Sequence, residues 1–523
     1  MNRPFAGPRQ IGFVLGLILF LLLVSLPPLE AFRGIARGAA TAQPGTVDPE
    51  VLAASLQSVF ALLLIMVVWW ITEAVPLSVT ALLPALVLPL FRVVGVSGGA
   101  EYQFTFRNTL ANYANPVIYL FLGGFLLAAA MQKWGLDRRI TLWLLTRGRL
   151  AESSRLLILG MMGATALLSM WISNTACTAM MLPIGLGILR LMGLQAGTTR
   201  FGTALMLGIA WAASIGGVGT IIGTPPNGIA LGILNEALPP GAPRIDFLDW
   251  MKFGVPYVLL MTPLAWGILL LLNPPEVRSL PGGKQRLLQE KSALGPPGAG
   301  EKRAVAVFAA AVMLWVSNPF WSDVFPAPVA AGLAWVDEYT IGLLVGVLCF
   351  LIPVDFRSGK FLLEWKDTSF VDWGTLILFG GGIALSDAMF RTGLASWIAT
   401  SFVGLLGSPS TLLLIFALVF LVDFLTEIAS NTAVTGMIVP IVISVARETG
   451  NDPTTLAVAA AVAASMAFML PVATPPNALV YGTGYVSVRQ MIRNGFMLDI
   501  LGWLLTVGVL YYFGGSLFGV LRY

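Results

Sequence analysis

The stretch Ser173-Asn174-Thr175-Ala176, followed by Met180-Met181-Leu182-Pro183-Ile184, returns in the second half of the chain. There it reads Ser430-Asn431-Thr432-Ala433, followed by Met437-Ile438-Val439-Pro440-Ile441. Each copy is trailed by Thr-Pro-Pro-Asn, at Thr224 to Asn227 and at Thr474 to Asn477. Small hydroxyl and amide residues thus occur twice, in the same order, inside strongly apolar sequence. Burying such groups is costly unless they find partners, so a matched pair of them asks for a shared purpose.

Composition sets the surroundings. The 523 residues are 57% hydrophobic and only 11% charged, with a mean hydropathy of +0.85. Soluble domains carry about 25% charged residues, so the chain reads as an all-α polytopic membrane protein. There is no histidine, which excludes His-based catalysis, His metal sites and His proton relays. Cys177 and Cys349 both lie in apolar segments and suggest neither a disulfide framework nor a metal cluster. An enzyme would need a nucleophile–base pair or a metal cluster, and no organic cofactor is expected. A channel should show conductance far above carrier rates, and a purely structural membrane protein would not need two broken, polar hairpins. The net charge of +4 is no nucleic-acid signal, because the basic residues gather in loops on one side.

A helix needs roughly 20 apolar residues to span a bilayer. Eleven crossings are expected, over 11–28, 55–72, 75–92, 114–132, 203–235, 252–273, 304–322, 338–354, 374–391, 454–486 and 496–518. The first follows Arg3 and Arg9 as a signal peptide would, but no small-residue cleavage site follows it, so it reads as a retained span. Two further apolar stretches, 154–190 and 409–446, are interrupted at Ser-Asn-Thr and read as re-entrant helical hairpins. Broken backbone at membrane depth is tolerated only where protein packs on it or it lines a cavity.

Basic residues orient the chain. With the N-terminus in the cytoplasm, 21 of the 30 Lys and Arg fall on the cytoplasmic side. They are Arg3 and Arg9, eight between 133 and 200, six between 278 and 303, Arg357, Lys360, Lys366, Arg489 and Arg493. This positive-inside bias places the chain in the cell (inner) membrane with an extracytoplasmic C-terminus. Segment 133–149 is mixed basic and apolar and reads as an amphipathic helix on the cytoplasmic face.

The two halves match beyond the opening motif. Leu122-Gly123-Gly124 with Met131 to Leu136 parallels Gly380-Gly381-Gly382 with Met389 to Leu394. Five crossings follow the first span in each half, and an odd number inverts the second copy. The expected organisation is a first helix and extracytoplasmic loop (1–52), a first inverted repeat (53–275), a cytoplasmic linker (276–303) and a second inverted repeat (304–523). The linker is Gly/Pro-rich and charged over 281–302 and reads as flexible. Inverted repeats place a transporter's site at the midplane where they meet.

The repeated residues suit that site. A hairpin tip exposes unpaired backbone groups. Helix N-termini carry partial positive charge and attract carboxylate or sulfate, while unwound carbonyls coordinate Na+. Hydroxyls and amides add donors to an anion or oxygens to a cation. Two prolines break the helical ladder at each Thr-Pro-Pro-Asn, and Gly216-Gly217-Val218-Gly219 allows close approach. Neither tip contains Arg or Lys, so dipoles, hydrogen bonds and nearby Na+ would hold the anion. One Ser-Asn-Thr alone reads more simply as a helix cap; two copies in inverted repeats favour function.

Other polar residues read more plainly. Glu73, at a span end, reads as an anchor, and Asp387 as internally paired. Glu427 precedes Ser430 by three residues and could orient the hairpin or tune cation affinity; no role is assigned to Asp423. The tryptophans read as interfacial anchors. Gly123-Gly124 and Gly380 to Gly382 read as close helix packing.

Taken with Trp69-Trp70-Ile71-Thr72-Glu73-Ala74 and Pro76, these motifs resemble the divalent anion/sodium symporters, which carry di- and tricarboxylates or sulfate. Ala464-Ser465, Phe468, Pro471-Val472-Ala473, Asn477 and Leu479-Val480 resemble that family's fingerprint, and the likeness covers nearly the whole chain. The resemblance implies a homodimer with a scaffold domain and a transport domain that moves as an elevator. It implies one sodium site at Ser169, Ser173, Asn174 and Gly223, and another at Thr426, Ala429, Asn431 and Ala473. It also implies substrate contacts at Ser173, Asn174, Thr175, Thr224, Ser430, Asn431, Thr432, Thr474 and Pro475. The expected activity is Na+-coupled symport of a divalent anion, foremost a C4-dicarboxylate such as succinate, malate or fumarate. A sodium-independent dicarboxylate/citrate exchanger and a sodium/sulfate symporter are the alternatives.

Overall fold

The computed structural model describes residues 7–42, 45–150, 152–239, 241–278, 282–406 and 410–517. Position 409, the expected start of the second hairpin, position 518, the expected end of the last span, and positions 1–6 and 519–523 of the outer segments lie outside the described residues. The described residues are helical almost throughout, with two small β-hairpins among them, Val94–Ser97 with Ala100–Gln103 and Pro353–Asp355 with Lys360–Phe361.

Eight helices among the described residues are long and apolar enough to cross a membrane; seven match expected crossings, and the eighth, Asn174–Leu191, falls inside the stretch expected as the first hairpin. A ninth crossing results if Ala327–Leu333 and Glu338–Leu351, bent by 71° at a short break, count as one. The remaining expected crossings are assembled from shorter pieces. The 75–92 stretch divides into Leu77–Thr80 and Leu83–Leu90. The 203–235 stretch becomes Arg200–Gly217 and Pro225–Ala237, and 454–486 becomes Pro453–Ala464 and Pro475–Gly482. Proline at the first helical position of Pro225–Ala237 and Pro475–Gly482, and at the second of Leu83–Leu90, explains where each downstream piece restarts, because the first-turn N–H it lacks has no helical partner to lose there.

Both Ser-Asn-Thr stretches lie at a junction between two helices. Ser154–Ser169 gives way to Asn174–Leu191, and Thr411–Thr426 to Asn431–Glu448. Arg200–Gly217 packs extensively along Ser154–Ser169, as Pro453–Ala464 does along Thr411–Thr426, so each helix pair leans on the broken helix of its own half.

Glycine sets several of the closest approaches. A Cβ on Gly123 would stand 1.9 Å from the Gly342 carbonyl oxygen, and one on Gly381 would stand 2.1 Å from that of Ala81. The glycine pairs therefore serve packing, as expected. The expectation for the tryptophans needs correcting. Trp211, Trp250 and Trp315 are completely buried. The Trp250 indole N–H donates to the Val218 carbonyl at 2.8 Å, and Trp315 stacks on Phe247 at 4.6 Å. A buried indole is stable once its N–H has an acceptor, as Trp250 has in Val218 and Trp315 in the Glu338 carbonyl; Trp211 packs edge-on against Phe468 instead, its N–H without an acceptor among the described residues, and all three are core residues. Trp335 and Trp365 remain largely exposed.

The stretch expected as a flexible linker is largely helical. Gly283–Ala293 forms a helix that docks on Leu136–Leu145, while 279–281 lie outside the described residues. Leu287 is buried in that contact, Glu290 pairs with Arg138 at 3.7 Å and Lys284 with Glu152 at 3.0 Å. Arg139 also pairs with Glu301. Composition alone misled here, because the buried Leu287 and the complementary charges have partners outside their own segment.

On the same side, Lys133 closes its helix on Asp367 at 2.6 Å. Asp367 also accepts the Glu364 backbone N–H at 2.7 Å. Burial opposes the charge on Asp367, but the Lys133 bond and the Glu364 amide outweigh it and hold this carboxyl below its usual range.

Candidate functional site

The two helix junctions and the two proline breaks converge on a cavity of about 1350 Å³. All nine expected substrate contacts line it: Ser173, Asn174, Thr175 and Thr224 from the first half, Ser430, Asn431, Thr432, Thr474 and Pro475 from the second. Gly223, Ala429 and Ala473 of the expected sodium sites line it too. Ser169 and Thr426 lie behind the wall, fully buried. The lining includes Glu73 and Asp372 but, among the described residues, no Lys or Arg.

The exposed lining residues include Glu73, Ser369, Phe370 and Asp372, with Ile428 and Val472 of the second half. Glu73 caps its helix in the left-handed region at φ 47° and pairs with Arg9 at 2.9 Å. That pair sets the Glu73 edge of the cavity beside the start of the first helix.

Behind the cavity wall the two halves repeat one arrangement of oxygens. Ser169 Oγ lies 2.8 Å from Asn174 Oδ1 and 2.7 Å from the Ala213 carbonyl oxygen. Thr426 Oγ1 lies 2.6 Å from Asn431 Oδ1 and 3.0 Å from the Ala464 carbonyl oxygen. A hydroxyl brings one proton, so each cluster holds more oxygen lone pairs than hydrogens to share among them. An oxygen-rich cluster short of protons suits a hard cation such as Na+, which takes carbonyl and hydroxyl ligands.

The breaks are braced from inside. Asn227 Nδ2 donates to the carbonyls of Gly217 at 3.0 Å and Thr220 at 2.8 Å. Asn477 Nδ2 donates to those of Ala467 and Leu470, both at 3.0 Å. The spacing back along the chain is the same in both halves. Each asparagine is fully buried and ties off carbonyls that the unwound segment would leave bare. A Cβ on Gly217 would stand 2.6 Å from Asn174 Oδ1, and one on Gly223 would stand 2.4 Å from the Gly217 carbonyl oxygen. Glycine is thus required where the loop closes on the tip.

Helix caps complete the tips. The Ser173 hydroxyl accepts the Ala176 N–H at 3.4 Å, and the Thr474 hydroxyl accepts the Asn477 N–H at 3.2 Å. Ser430 and Thr224 are N-caps whose side chains make no capping bond. Four helix N-termini therefore start at the cavity, at Asn174, Pro225, Asn431 and Pro475.

The remaining acids divide clearly. Asp387 pairs with Arg391 at 2.5 Å, as expected. Glu427 accepts the N–H groups of Met469 at 2.8 Å and Leu470 at 2.9 Å, so it orients the second break. The bracing role of Asn227 and Asn477 was not read from the sequence, although both close quoted motifs. Asp499 was missed altogether; an acid inside the apolar 496–518 stretch was the available signal.

The sequence profile described as the sodium:sulfate symporter transmembrane region matches residues 47–520. Among curated proteins, the sodium-dependent dicarboxylate transporter SdcS of Staphylococcus saprophyticus is 36% identical, over 99% of this chain and 94% of its own length. The Staphylococcus aureus protein of the same name is 34% identical, over 98% and 92%. Among solved structures, the Alcanivorax borkumensis YdaH transporter aligns with a TM-score of 0.54 at 16% identity, covering 87% of this chain and 99% of that one. Neisseria gonorrhoeae MtrF aligns with a TM-score of 0.52 at 14% identity, over 87% and 96%. At these identities the structural likeness concerns the fold alone.

Proposed function

The chain belongs to the sodium:sulfate symporter family, and on that premise we propose that it is a Na+-coupled symporter of a divalent anion, foremost a C4-dicarboxylate. The names of the staphylococcal relatives favour dicarboxylate over sulfate. The observation that carries the reading is the duplicated oxygen cluster behind a cavity lined by both Ser-Asn-Thr tips.

In this reading Na+ binds first, one ion to Ser169, Ser173, Asn174 and Gly223, the other to Thr426, Ala429, Asn431 and Ala473. Before Na+ arrives the lining offers acids and no fixed positive side chain, so it repels a dianion. Each Na+ adds a charge and draws the tip amide toward the loop. The anion then meets the tip hydroxyls, amides and helix N-termini, where partial positive charge is concentrated. Without a fixed cation the anion leaves when Na+ leaves. Taking the N-terminus as cytoplasmic, the cavity mouth faces the cytoplasm and the conformation is inward-open. The two helix pairs are the re-entrant hairpins, and with the broken helices they form a transport domain. That domain moves as an elevator against a scaffold, in a homodimer within the cell membrane.

Uptake of labelled succinate into proteoliposomes, with and without an inward Na+ gradient, tests the reading. Asn174→Ala and Asn431→Ala are each expected to abolish Na+-driven uptake while the protein still inserts and elutes as a single species. Uptake indifferent to Na+ sinks the symport claim, and full activity in either variant sinks the site. Sulfate competing better than malate or fumarate would move the assignment to a sulfate carrier.

A further inference from the structure

The two halves match in sequence but differ in how tightly their helix pairs close. Asn431–Glu448 packs extensively along Trp373–Thr392, while no comparable packing joins its counterpart Asn174–Leu191 to Pro116–Lys133. Gly382 and Gly436 face each other across the first contact, a Cβ on either standing 3.6 Å from the other's Cα. In the first half the cavity takes that place, lined by Phe125 and Gln132 of one helix and by Ala176 and Ala179 of the other. The proline breaks differ likewise. Val472, two residues before Thr474, is 80% exposed, whereas Ile222, two residues before Thr224, is 4% exposed and packs over Gly124.

An arginine fastens the tight side. Arg447, in the last turn of Asn431–Glu448, donates to the carbonyl of Ala237, the last residue of Pro225–Ala237. A helix C-terminus carries partial negative charge and favours a cation. The same guanidinium lies 5.5 Å from the centroid of the Phe390 ring, within cation–π range. Phe390 belongs to Trp373–Thr392, so Arg447 ties the second helix pair across to that helix. At the same helix end, Asn235 donates to Tyr339 at 2.9 Å and Glu236 accepts from Asn115 at 3.0 Å. Counted from the asparagine of each Ser-Asn-Thr, Arg447 matches Arg190; counted from Gly124 and Gly382, Phe390 matches Gln132. Arg190 stands exposed in the last turn of Asn174–Leu191, and its side chain makes no hydrogen bond, ion pair or ring contact among the described residues. The Gln132 amide makes no hydrogen bond among them either.

We propose that Arg447 and Arg190 are alternating latches of the carrier. Arg447 over Phe390 holds the outer side shut in this structure, and Arg190 on the Gln132 amide oxygen holds the inner side shut when the cavity opens outward. Inverted repeats that rock against one another exchange roles between the two open states. The gap between Asn174–Leu191 and Pro116–Lys133 therefore closes as the contact between Asn431–Glu448 and Trp373–Thr392 opens. By the same exchange Ile222 becomes the exposed residue and Val472 the covered one. A guanidinium has donors for an amide oxygen and a planar face for a ring, so one residue type serves both latches. The inference rests on the inward-open symport reading above.

Labelling with a membrane-impermeant maleimide, in vesicles without Na+ or succinate, provides the test. Val472→Cys in inside-out vesicles reports the inward-open state, and Ile222→Cys in right-side-out vesicles reports the outward-open state. Both native cysteines are buried, and the chain without a reporter sets the background. The ratio of the two rates follows the ratio of the two populations. Arg447→Gln is expected to lower that ratio about fivefold and Arg190→Gln to raise it about fivefold, the worth of one such contact. Phe390→Leu and Gln132→Leu keep side-chain bulk, are expected to follow their own arginine's variant, and decide if that variant does not insert. An unchanged ratio, or shifts of the same sign for the two arginines, overturns the latches, since a loss of structure alone would not move the ratio in opposite directions. Val472→Cys reacting only in right-side-out vesicles instead overturns the inward-open reading, and succinate uptake without Na+ dependence overturns the symport reading, so these failures are distinguishable.

Discussion

Replacing Asn227 with alanine removes one side chain and leaves two bare carbonyls. The amide donates to Gly217 at 3.0 Å and Thr220 at 2.8 Å from a fully buried position. Side-chain hydrogen bonds inside membrane proteins are worth about 0.6 to 1.7 kcal/mol each, so the pair contributes roughly 2 kcal/mol to the closed loop. That loop contains Gly223, and the loss is felt as a smaller population of the Na+-competent conformation. A cost of about 2 kcal/mol corresponds to a factor of roughly 30 in apparent Na+ affinity. The readout is thermal unfolding of the purified protein across a Na+ titration with Li+ or choline replacement, because a ligand that binds only the folded state raises its stability with concentration. Half-maximal stabilisation is expected to move roughly 30-fold higher in Asn227→Ala. Asn477→Ala, which loses two bonds of 3.0 Å to Ala467 and Leu470, is expected to shift by a similar factor. Wild-type Na+ sensitivity in both variants would refute the bracing argument, since the tips would then hold their geometry without the amides.

Removing Lys133 as Lys133→Met leaves Asp367 with only the Glu364 amide, and because the pair is part-exposed the cost is expected between the about 1 kcal/mol of a surface pair and the about 3 kcal/mol of a buried one; a melting temperature unchanged at pH 7 would contradict it. The same pair sets a pH dependence. Asp367 is held below its usual range, so its contribution is fully present above the unfolded value near 3.9 and is lost as pH falls through the lower folded value. Wild type is therefore expected to lose stability relative to Lys133→Met on acidification below about pH 4, which thermal scans at several pH values would reveal. Leu287→Asp should undock Gly283–Ala293 from Leu136–Leu145 and open that segment to limited proteolysis, while wild type resists; equal cleavage would show that the helix is not held.

The internal duplication was the most legible part of the fold. Serine, asparagine and proline at fixed spacing in apolar sequence have few structural explanations, and the nine expected contacts do line one cavity. What the sequence concealed lay in contacts across distance. Asn227 looked like the tail of a proline motif, and only the unwound backbone shows why its amide is needed. Asp499 sat alone in an apolar stretch, and its meaning depends on Glu427 across the helix interface. Segment 283–293 read as flexible from its composition, yet its charges complement Arg138 and Glu152 elsewhere in the chain. Trp211, Trp250 and Trp315 were assigned to an interface by residue type, whereas their neighbours bury them.

The equal spacing of the two asparagine braces has a kinetic consequence. Loops tied by the same bonds at the same separations should fill over the same range of Na+ concentration. If the dianion needs both filled, the carrier behaves as a coincidence gate. Well below its threshold, the initial rate of uptake would rise with a log–log slope of at least two. A partly loaded carrier would cross empty-handed only rarely, so little of the ion gradient would be dissipated without cargo.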